Sequence, residues 1–526
     1  MTGPFEFIVY GILLIALVLS FLPKKQFGQA AFIASGLAFA GFVAVSTFGT
    51  PRGPLVPGAL LALILPFVTF FRMEYPKPNN WRRKTLFGGY IVLTSLLAAV
   101  AVILPLSFPV FEPPAPSGQY GVGYTRTVLT DDERLDIVTG TARELPVQVW
   151  YPATVGADAT PLPFVPDVDQ GGHLMGDNLG LPLEFFDYLA DMKGHSYGNA
   201  PVAPLTAGRG RFPVLVFNHG FGSIGAQNVL LMEHLASHGY VVFSIEHPHQ
   251  NAWVRLNAGK SASFNPVGFQ FDELTPEKTA ELEAILVRLV TAPDYAAHLQ
   301  ELQTFMKAQE SFATGLKLWL DDTDFVLDRL QAETIGAFDP LYASMDVANL
   351  GVFGMSYGGA AAGMLCLEDA RCKAGINMDG MQFGEHDMKF ALKSPFMLMN
   401  SDGNLFLEPP HSGKATKFKV NEFVYRQAVG PIYSLTVADA KHMNYSDFAF
   451  LMPVAQHLGM FGPVDARAMN DVMNDYVLAF FDRYLKGEGA PLLDRTVAGE
   501  GAILEFTHRN VGEGTLAQSG QLKEGE

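Results

Sequence analysis

The pentapeptide Gly-x-Ser-x-Gly at residues 354–358 constrains the fold more than any other stretch of this chain. An apolar run at 350–353 leads into it, and small residues at 359–364 follow it. A strand, a sharp turn and a helix expose a serine hydroxyl at the edge of a sheet, and glycines flank the serine because helix and strand approach too closely for a Cβ atom. A glycine-rich loop with an incidental serine would share the pentapeptide. The flanking strand and helix favour Ser356 as a nucleophile.

Alternating strands and helices are predicted around this turn. Short apolar runs between turn residues are typical of strands buried on both faces of a parallel sheet. Such a strand is predicted at 212–217, an alternating strand closed by proline at 146–152, and further strands at 240–245, 350–353, 374–378, 395–400 and 431–437. Helices are predicted at 228–237, 358–366 and 469–484, the last from apolar residues spaced by three and four. The alternation predicts a doubly wound, mostly parallel α/β sheet, and the Gly-x-Ser-x-Gly turn within it predicts an α/β-hydrolase fold.

Proline-rich and glycine-rich segments predict the domain boundaries. Residues 112–122, which begin Glu-Pro-Pro-Ala-Pro, form a stiff linker between an amino-terminal module at 1–111 and the hydrolase domain at 123–499. Two insertions, near 158–210 and 250–312, are predicted to cap the site. The segment 500–526 is rich in glycine and glutamate and is predicted to be a flexible tail.

The amino-terminal module consists mainly of four apolar runs, at 7–22, 28–49, 53–71 and 85–111. A helix needs about 20 apolar residues to cross a bilayer, and all four runs are near that length, although the first is short. No basic residue precedes the first run and no Ala-x-Ala-like site clearly ends it, which disfavours a signal peptide. We therefore expect about four transmembrane helices, with the bilayer as a partner.

The basic residues between these runs predict an orientation. They are Lys24, Lys25, Arg72, Lys77, Arg82, Arg83 and Lys84. With four crossings, all of them lie on one face of the membrane, and the short loop on the other face contains only Arg52. Because basic loops stay in the cytoplasm, the domain after residue 111 is expected on the extracytoplasmic side.

Overall charge and cysteine content restrict the function further. The formal net charge of −17 argues against a nucleic-acid partner, because no basic stripe offsets it. The two cysteines, Cys366 and Cys372, have a spacing that suits neither a zinc site nor a redox Cys-x-x-Cys motif. They form either a local disulfide, which agrees with an oxidising compartment, or two buried thiols.

A serine hydroxyl becomes a nucleophile when a base takes its proton and an acid orients that base. In α/β-hydrolases the acid and then the base follow the serine along the chain. His442 lies in a polar loop directly after the predicted last strand, where the base is required. The acid has two candidates: Asp379, after the strand 374–378, and Asp402, after the next strand. The common position after the later strand favours Asp402, but spacing alone leaves both open.

An oxyanion hole requires two N–H groups near the nucleophile. One belongs to the residue after the serine, here Tyr357, and the other comes from a loop after an earlier strand. The sequence His-Gly-Phe-Gly at 219–222 follows the buried strand 212–217 and predicts the backbone of Phe221 as the second donor.

Together these motifs resemble the plasma-type platelet-activating factor acetylhydrolase family and its bacterial relatives. The resemblance covers roughly 140–490, and it is carried by 213–223, 235–247, 351–360, 374–380, 399–402 and 442–448. It implies Asp379 as the acid and Asp402 in a supporting position, with Ser356, His442, Phe221 and Tyr357 in the roles given above. It also implies a serine esterase without metal or cofactor that releases short or oxidised acyl chains from phospholipids.

The chain departs from that family in its amino-terminal module and in the insertion at 255–312, so the acyl and head-group pockets do not carry over. The leading hypothesis is a membrane-anchored serine esterase that acts on a lipid or small ester. One alternative is a broad carboxylesterase or polyester hydrolase with the same mechanism. The other is a non-catalytic membrane sensor, which the complete set of triad residues disfavours.

Overall fold

The computed structural model describes residues 4–48, 52–74, 81–205, 210–265, 275–383, 389–402 and 418–511. The chain forms two compact units. The helical unit comprises Met1–Pro113, Gly171–Lys193 and Phe450–Leu458. The hydrolase unit comprises Pro114–Gln170, Gly194–Ala449 and Gly459–Glu526. Two segments that follow the amino-terminal helices in the sequence, Gly171–Lys193 and Phe450–Leu458, thus group with those helices, which the boundaries predicted from the sequence do not anticipate.

The long helices of the helical unit are α1 (Pro4–Phe21), α2 (Lys24–Phe48), α3 (Val56–Glu74) and α4 (Trp81–Ser107). Within the described residues, three stretches are long and apolar enough to cross a membrane: Lys25–Val45, Gly53–Phe71 and Phe87–Ser107. The apolar part of α1 is shorter, Ile8–Phe21, and at 1.5 Å per residue it spans about 20 Å of a hydrocarbon core that is about 30 Å thick. The structure therefore supports three candidate spans where the sequence predicts about four.

Contacts of Arg52 bring several ends of these helices together. The Arg52 guanidinium pairs with Glu6 of α1 at 2.5 Å, and it donates to the carbonyl of Phe108, just after α4, at 3.3 Å. Its side chain is buried, so the ion pair is shielded from solvent. The start of α1, the connection before α3 and the end of α4 consequently lie at one end of the helical unit.

The two later segments of the helical unit pack through aromatic rings. Phe185 and Phe186 lie in a 3₁₀ helix, Leu183–Asp191, and each contacts Phe108 at ring distances of 5.6 and 5.7 Å. Phe450 stacks on Phe111 at 5.5 Å. These edge and stacked contacts explain why both segments group with the helices.

A mixed sheet forms the core of the hydrolase unit. Its strands in the described part of the chain are β1 (Gly121–Leu135), β2 (Ala142–Ala153), β3 (Ser196–Gly198), β4 (Phe212–Asn218), β5 (Val241–Ile245), β8 (Met345–Met355), β9 (Cys372–Met378), β10 (Phe396–Ser401), β11 (Ile432–Val437), β12 (Val497–Glu500) and β13 (Ile503–Arg509). A separate hairpin contains β6 (Trp253–Arg255) and β7 (Ser261–Ser263).

The strand order is β12-β13-β11-β10-β9-β8-β4-β5-β2-β1-β3. The run from β11 to β5 is parallel throughout, and β13 and β2 join it antiparallel on either side. Every residue of β4 and β5 is buried, as expected for strands covered on both faces. The mostly parallel sheet predicted from the sequence is therefore present.

The remaining helices connect these strands. They are α5 (Val168–Leu179), α6 (Val229–Ser237), α7 (Pro276–Val290), α8 (Tyr295–Ala308), α9 (Glu310–Gln331), α10 (Asp339–Tyr342), α11 (Tyr357–Glu368), α12 (Glu422–Gln427), α13 (Phe448–Leu451) and α14 (Ala466–Phe481). Parallel strands need such crossover connections, and their carboxyl ends therefore meet at one edge of the sheet. Polar loops collect at that edge.

The prediction of a flexible tail from residue 500 is wrong for β13. This strand pairs antiparallel with β11, and Phe506 is buried between Tyr433 and Tyr476 at ring distances of 6.0 and 4.9 Å. The glycine-rich flanks conceal a short apolar strand whose partner is distant in sequence. Residues 512–526, the rest of the predicted tail, lie outside the described residues.

Candidate active site

Ser356 lies at the sharp turn between β8 and α11 with φ 58° and ψ −123°, which is unusual for a residue with a side chain. A Cβ atom on Gly354 would lie 2.3 Å from the backbone of Gly358, and one on Gly358 would lie 2.0 Å from the carbonyl oxygen of Asn218. Both glycines are therefore required by close packing of strand, turn and helix. The turn directs the serine toward the edge where the parallel strands end.

A continuous hydrogen-bonded chain begins at this serine. Ser356 Oγ is 2.9 Å from His442 Nε2, and His442 Nδ1 is 2.9 Å from Asp379 Oδ2. Because an ionised carboxylate only accepts, Nδ1 carries the hydrogen and donates it, which leaves Nε2 to accept from the serine hydroxyl. This arrangement can transfer a proton from Ser356 to His442.

Asp379 follows β9 directly, and its carboxylate is held on both sides. Oδ1 accepts from the backbone N–H of Ser401 at 2.7 Å and from its hydroxyl at 2.9 Å, while Oδ2 faces His442. The backbone of Asp379 has φ 53°, and a Cβ on the following Gly380 would lie 2.0 Å from the carbonyl oxygen of Ser356. The Asp-Gly pair thus fits tightly beneath the nucleophile turn.

Asp402 occupies a different place. It is exposed, and its carboxylate accepts from the backbone N–H of Asp439 at 2.9 Å, in the turn that precedes His442. The structure therefore brings Asp379 to the histidine, while Asp402 fastens the loop that carries the histidine.

The segment His219–Gly222 lies beside the nucleophile because β4 and β8 are neighbours. Asn218, the last residue of β4, pairs in register with Gly354. A Cβ on Gly220 would lie 3.4 Å from the Cβ of Ser356, and the rings of Phe221 and Tyr357 are 5.7 Å apart. The two residues predicted to donate to an oxyanion consequently flank the serine.

An aromatic wall adjoins these two residues. Phe264, from the predicted cap insertion, contacts Phe221 at 5.4 Å. Phe312 stacks on Phe383 at a ring distance of 5.7 Å, and the Phe312 carbonyl accepts a hydrogen bond from the Tyr357 hydroxyl at 2.5 Å. Sequence reasoning missed Phe312 and Phe383, because isolated aromatics carry no signal that distinguishes a site wall from core.

A second histidine–aspartate pair lies behind the His219 segment. His247 Nδ1 is 3.0 Å from Asp322 Oδ2, and His247 Nε2 is 2.9 Å from the side-chain oxygen of Asn218. Asp322 also accepts from Arg143 at 2.7 and 2.6 Å. All of these side chains are buried. The sequence feature that could have indicated this pair is a charged residue, Asp322, on the apolar face of α9 next to Trp319.

Burial controls the protonation of this second pair. It lowers the pKa of His247 to about 4 and that of the neighbouring His219 also to about 4. Burial alone would raise the pKa of Asp322, but the Arg143 guanidinium beside it holds that pKa well below its usual range. In its neutral form His247 carries one ring hydrogen and can donate to only one of the two oxygens that face it, while the charge of Asp322 is already matched by Arg143.

The cysteines of the hydrolase unit are joined. Cys366 near the end of α11 and Cys372 at the start of β9 form a disulfide with Cα atoms 5.0 Å apart. It closes the connection that follows the nucleophile helix.

The sheet and the site fit an α/β-hydrolase fold, and a solved esterase has a similar structure. A ferulic acid esterase from Streptomyces cinnamoneus superimposes with a TM-score of 0.54 at 26% identity, covering 76% of this chain and 99% of the esterase. Taken with the sequence relatives below, this likeness makes the chain an esterase-type hydrolase.

The family model described as platelet-activating factor acetylhydrolase, isoform II, matches residues 107–490, and the chain belongs to this family. Platelet-activating factor acetylhydrolase of Gallus gallus is 24% identical over 71% of this chain and 83% of its own length. The Cavia porcellus enzyme is 26% identical over 59% of this chain and 69% of its own length. The family resemblance inferred from the motifs is confirmed.

Proposed function

We propose that this protein is a membrane-anchored serine esterase that releases short or oxidised acyl chains from phospholipids. Ser356 is the nucleophile, His442 the general base and Asp379 the acid that orients it. The observation that carries the proposal is the unbroken chain from Ser356 through His442 to Asp379, with both hydrogen bonds at 2.9 Å. The acetylhydrolase relatives support the choice of substrate class.

The first half-reaction forms an acyl-enzyme. His442 Nε2 takes the hydroxyl proton as Ser356 Oγ attacks the ester carbonyl carbon, and the carbonyl electrons move to its oxygen. Asp379 stabilises the resulting imidazolium through Nδ1–H. The N–H groups of Phe221 and Tyr357 stabilise the oxyanion. When the oxyanion collapses, the bond to the alcohol breaks and His442 returns the proton to the departing alkoxide.

The second half-reaction reverses these roles with water. His442 removes a proton from water, the hydroxide attacks the acyl carbon, and the Ser356 Oγ–acyl bond breaks with return of the proton to the serine. Carboxylic acid and free enzyme result. We propose no metal in either half-reaction, so a chelator should leave kcat unchanged.

The helical unit anchors the enzyme with its carboxyl-terminal domain outside the cytoplasm. Three of its helices are long and apolar enough to span a bilayer. Contacts of Arg52 with Glu6 and Phe108 support a bundle whose amino terminus and final helix end share one side. In the sequence, basic residues cluster at 24–25 and 72–84, around the connections between the first and second and between the third and fourth apolar runs, as is typical of the cytoplasmic side. The disulfide suits an oxidising compartment.

A second candidate is a broad carboxylesterase that prefers aromatic esters. The aromatic wall formed by Phe221, Phe264, Phe312, Tyr357 and Phe383 favours it, because stacked rings accommodate a planar acyl group. The structural likeness to a ferulic acid esterase points the same way.

Hydrolysis by the full chain in lipid nanodiscs tests both candidates. The substrates are a 2-acetyl phosphatidylcholine, a long-chain phosphatidylcholine, an aryl acetate and a methyl ferulate, with Ser356→Ala as the control. We expect the highest kcat/KM for the 2-acetyl phospholipid and no turnover by the variant. A preference for methyl ferulate would support the second candidate. A folded protein that hydrolyses none of the four would contradict both candidates and favour a non-catalytic sensor.

A further inference from the structure

The peptide that carries the Phe221 N–H group is held by a buried side chain. His219 Nδ1 lies 2.8 Å from the carbonyl oxygen of Gly220, and the His219 side chain is 0% exposed. The same carbonyl also accepts from the backbone N–H of Ser223 at 3.0 Å, which closes a tight turn. Two donors therefore fix the carbonyl oxygen of Gly220, a residue that lies beside Ser356.

Because the peptide is planar, the hydrogen bond to the Gly220 carbonyl also sets the direction of the Phe221 N–H group. In a trans peptide the carbonyl of one residue and the N–H of the next lie in one plane and point in opposite directions. The Gly220 carbonyl points toward the His219 ring, so the Phe221 N–H points away from it. Gly220 itself lies against Ser356, where a Cβ would come within 3.4 Å of the serine Cβ.

The hydrogen-bond partners of His219 define its tautomer. Its Nε2 accepts from the backbone N–H of His247 at 3.4 Å, so the ring hydrogen is on Nδ1, where it donates to Gly220. Burial lowers the pKa of His219 to about 4, which keeps the ring neutral at physiological pH. The donor is therefore present throughout the pH range in which a serine esterase works.

The ring of His219 is itself fixed from behind. Trp319 meets it edge to face at 5.1 Å, and His247 stacks on the same tryptophan at 3.9 Å. His247 is tied to Asp322 and Asn218, as described above. A rotation of His219 would break these packed contacts, so its Nδ1–H has one available direction.

We propose that His219 is a positioning residue for the esterase reaction: its Nδ1–H bond to the Gly220 carbonyl holds the Phe221 N–H toward the oxyanion that forms at Ser356. His219 touches neither substrate nor the reacting atoms and acts through the peptide. This inference rests on the proposed function, because an oxyanion hole has a purpose only if Ser356 attacks a carbonyl.

A pair of substrates separates this role from a purely structural one. Backbone N–H groups stabilise an oxygen anion strongly and a thiolate-like sulfur anion weakly, because sulfur is a larger and poorer acceptor. The ratio of kcat for an aryl acetate to kcat for its thionoacetate analogue therefore reports on the oxyanion hole. The ratio does not depend on the fraction of folded protein in the sample.

Two variants of similar size provide the matched comparison. In His219→Asn the side-chain amide nitrogen is as many bonds from Cα as Nδ1, so the variant can still donate to Gly220. In His219→Gln the amide nitrogen lies at the position of Nε2, and the bond to Gly220 is lost. Both variants are measured as the full chain in nanodiscs beside the wild type and Ser356→Ala.

We expect His219→Gln to lower kcat for the ester by about tenfold or more, below the 10²- to 10³-fold cost of removing an oxyanion donor outright, because the Ser223 bond remains. KM and the thionoester rate should change little, so the ratio falls, whereas His219→Asn should retain a ratio near that of the wild type.

Three results would overturn the proposal: an unchanged ratio in His219→Gln, an equal loss for both substrates, or the same loss of ratio in both variants. A wild type without ester hydrolysis would overturn the proposed function and this inference together. A normal wild type with any of those three results would overturn only the role of His219.

Discussion

Two of the histidine–aspartate pairs in the hydrolase unit have hydrogen bonds of nearly the same length. His442 Nδ1 is 2.9 Å from Asp379, and His247 Nδ1 is 3.0 Å from Asp322. The far nitrogen of His442 meets the Ser356 hydroxyl, whereas that of His247 meets a side-chain amide oxygen. The His442 side chain is 23% exposed and that of His247 is 0% exposed. The candidate catalytic site is therefore distinguished by the serine beside its histidine and by the exposure of that histidine to solvent, and not by the histidine–aspartate pair itself.

The two carboxylates differ as well. Asp379 is held by the neutral donors of Ser401, so its charge remains available to stabilise an imidazolium. Asp322 accepts two hydrogen bonds from Arg143, so its charge is already compensated. We therefore expect the first pair to control turnover and the second to control stability.

The largest expected effect comes from exchanging the histidines. His442→Asn should lower kcat by about 10⁴-fold or more with an unchanged unfolding midpoint, because the general base is lost. His247→Asn should lower the midpoint and change kcat by less than about tenfold, since its side chain touches no reacting atom. Steady-state kinetics and thermal unfolding of the full chain in detergent check both. Loss of turnover in His247→Asn but not in His442→Asn would show that the second pair, and not the first, supports catalysis.

The acids give the next effect. Asp379→Asn should reduce kcat by about 10⁴-fold, because an amide in place of the carboxylate favours the wrong histidine tautomer. Asp402→Asn serves as the control and should retain near wild-type kcat, because the carboxylate accepts from the backbone N–H of Asp439, and an amide oxygen can accept the same hydrogen bond. If Asp402→Asn alone abolished turnover, the acid would be assigned to the wrong strand end.

The buried ion pair of the second site should affect stability alone. Arg143→Met leaves Asp322 without its main partner and should cost about 3–5 kcal/mol of unfolding free energy. Arg143→Met combined with Asp322→Leu removes both charges and should recover part of that loss, because Asp136 and Arg134, the other ion-pair partners of the two residues, lose these contacts. Denaturant unfolding of the three variants measures the coupling. A double variant no more stable than Arg143→Met would show that the charges do not depend on each other.

The pH dependence of stability should be smaller but specific to the buried histidines. Burial lowers the pKa of both His219 and His247 to about 4 in the folded state, below the value near 6.5 expected in the unfolded chain. Their contribution is therefore fully present above about pH 6.5 and is lost as the pH falls through about 4. We expect the unfolding midpoint to drop over this interval, and to drop less in His247→Asn. An equal drop of the midpoint in the wild type and in His247→Asn would show that other groups cause the acid sensitivity.

Local chemistry made the central sheet and half of the candidate site predictable. Apolar runs bounded by turn residues located β4, β8 and β11, and the polar loop after the last of these pointed to His442. The acid was less certain, because two consecutive parallel strands each end near an aspartate at the same edge. Choosing Asp379 over Asp402 required the family resemblance, and the structure places Asp379 next to His442.

The second pair was not predictable from the sequence. Arg143 and Asp322 are separated by 179 positions, and no local pattern announces a bond over that distance. The same limit explains why the sequence predicts a flexible tail where β13 forms. The grouping of Gly171–Lys193 and Phe450–Leu458 with the amino-terminal helices also depends on contacts between residues remote in sequence.

Covalent labelling by a fluorophosphonate tests the central claim most directly. The reagent traps an activated serine, so mass spectrometry of the wild-type full chain should find the adduct on Ser356. Labelling should be lost in His442→Asn and retained in His247→Asn, which separates the two histidine–aspartate pairs in a single experiment. A folded wild type that stays unlabelled at Ser356, or labelling that depends on His247 instead of His442, would contradict the account.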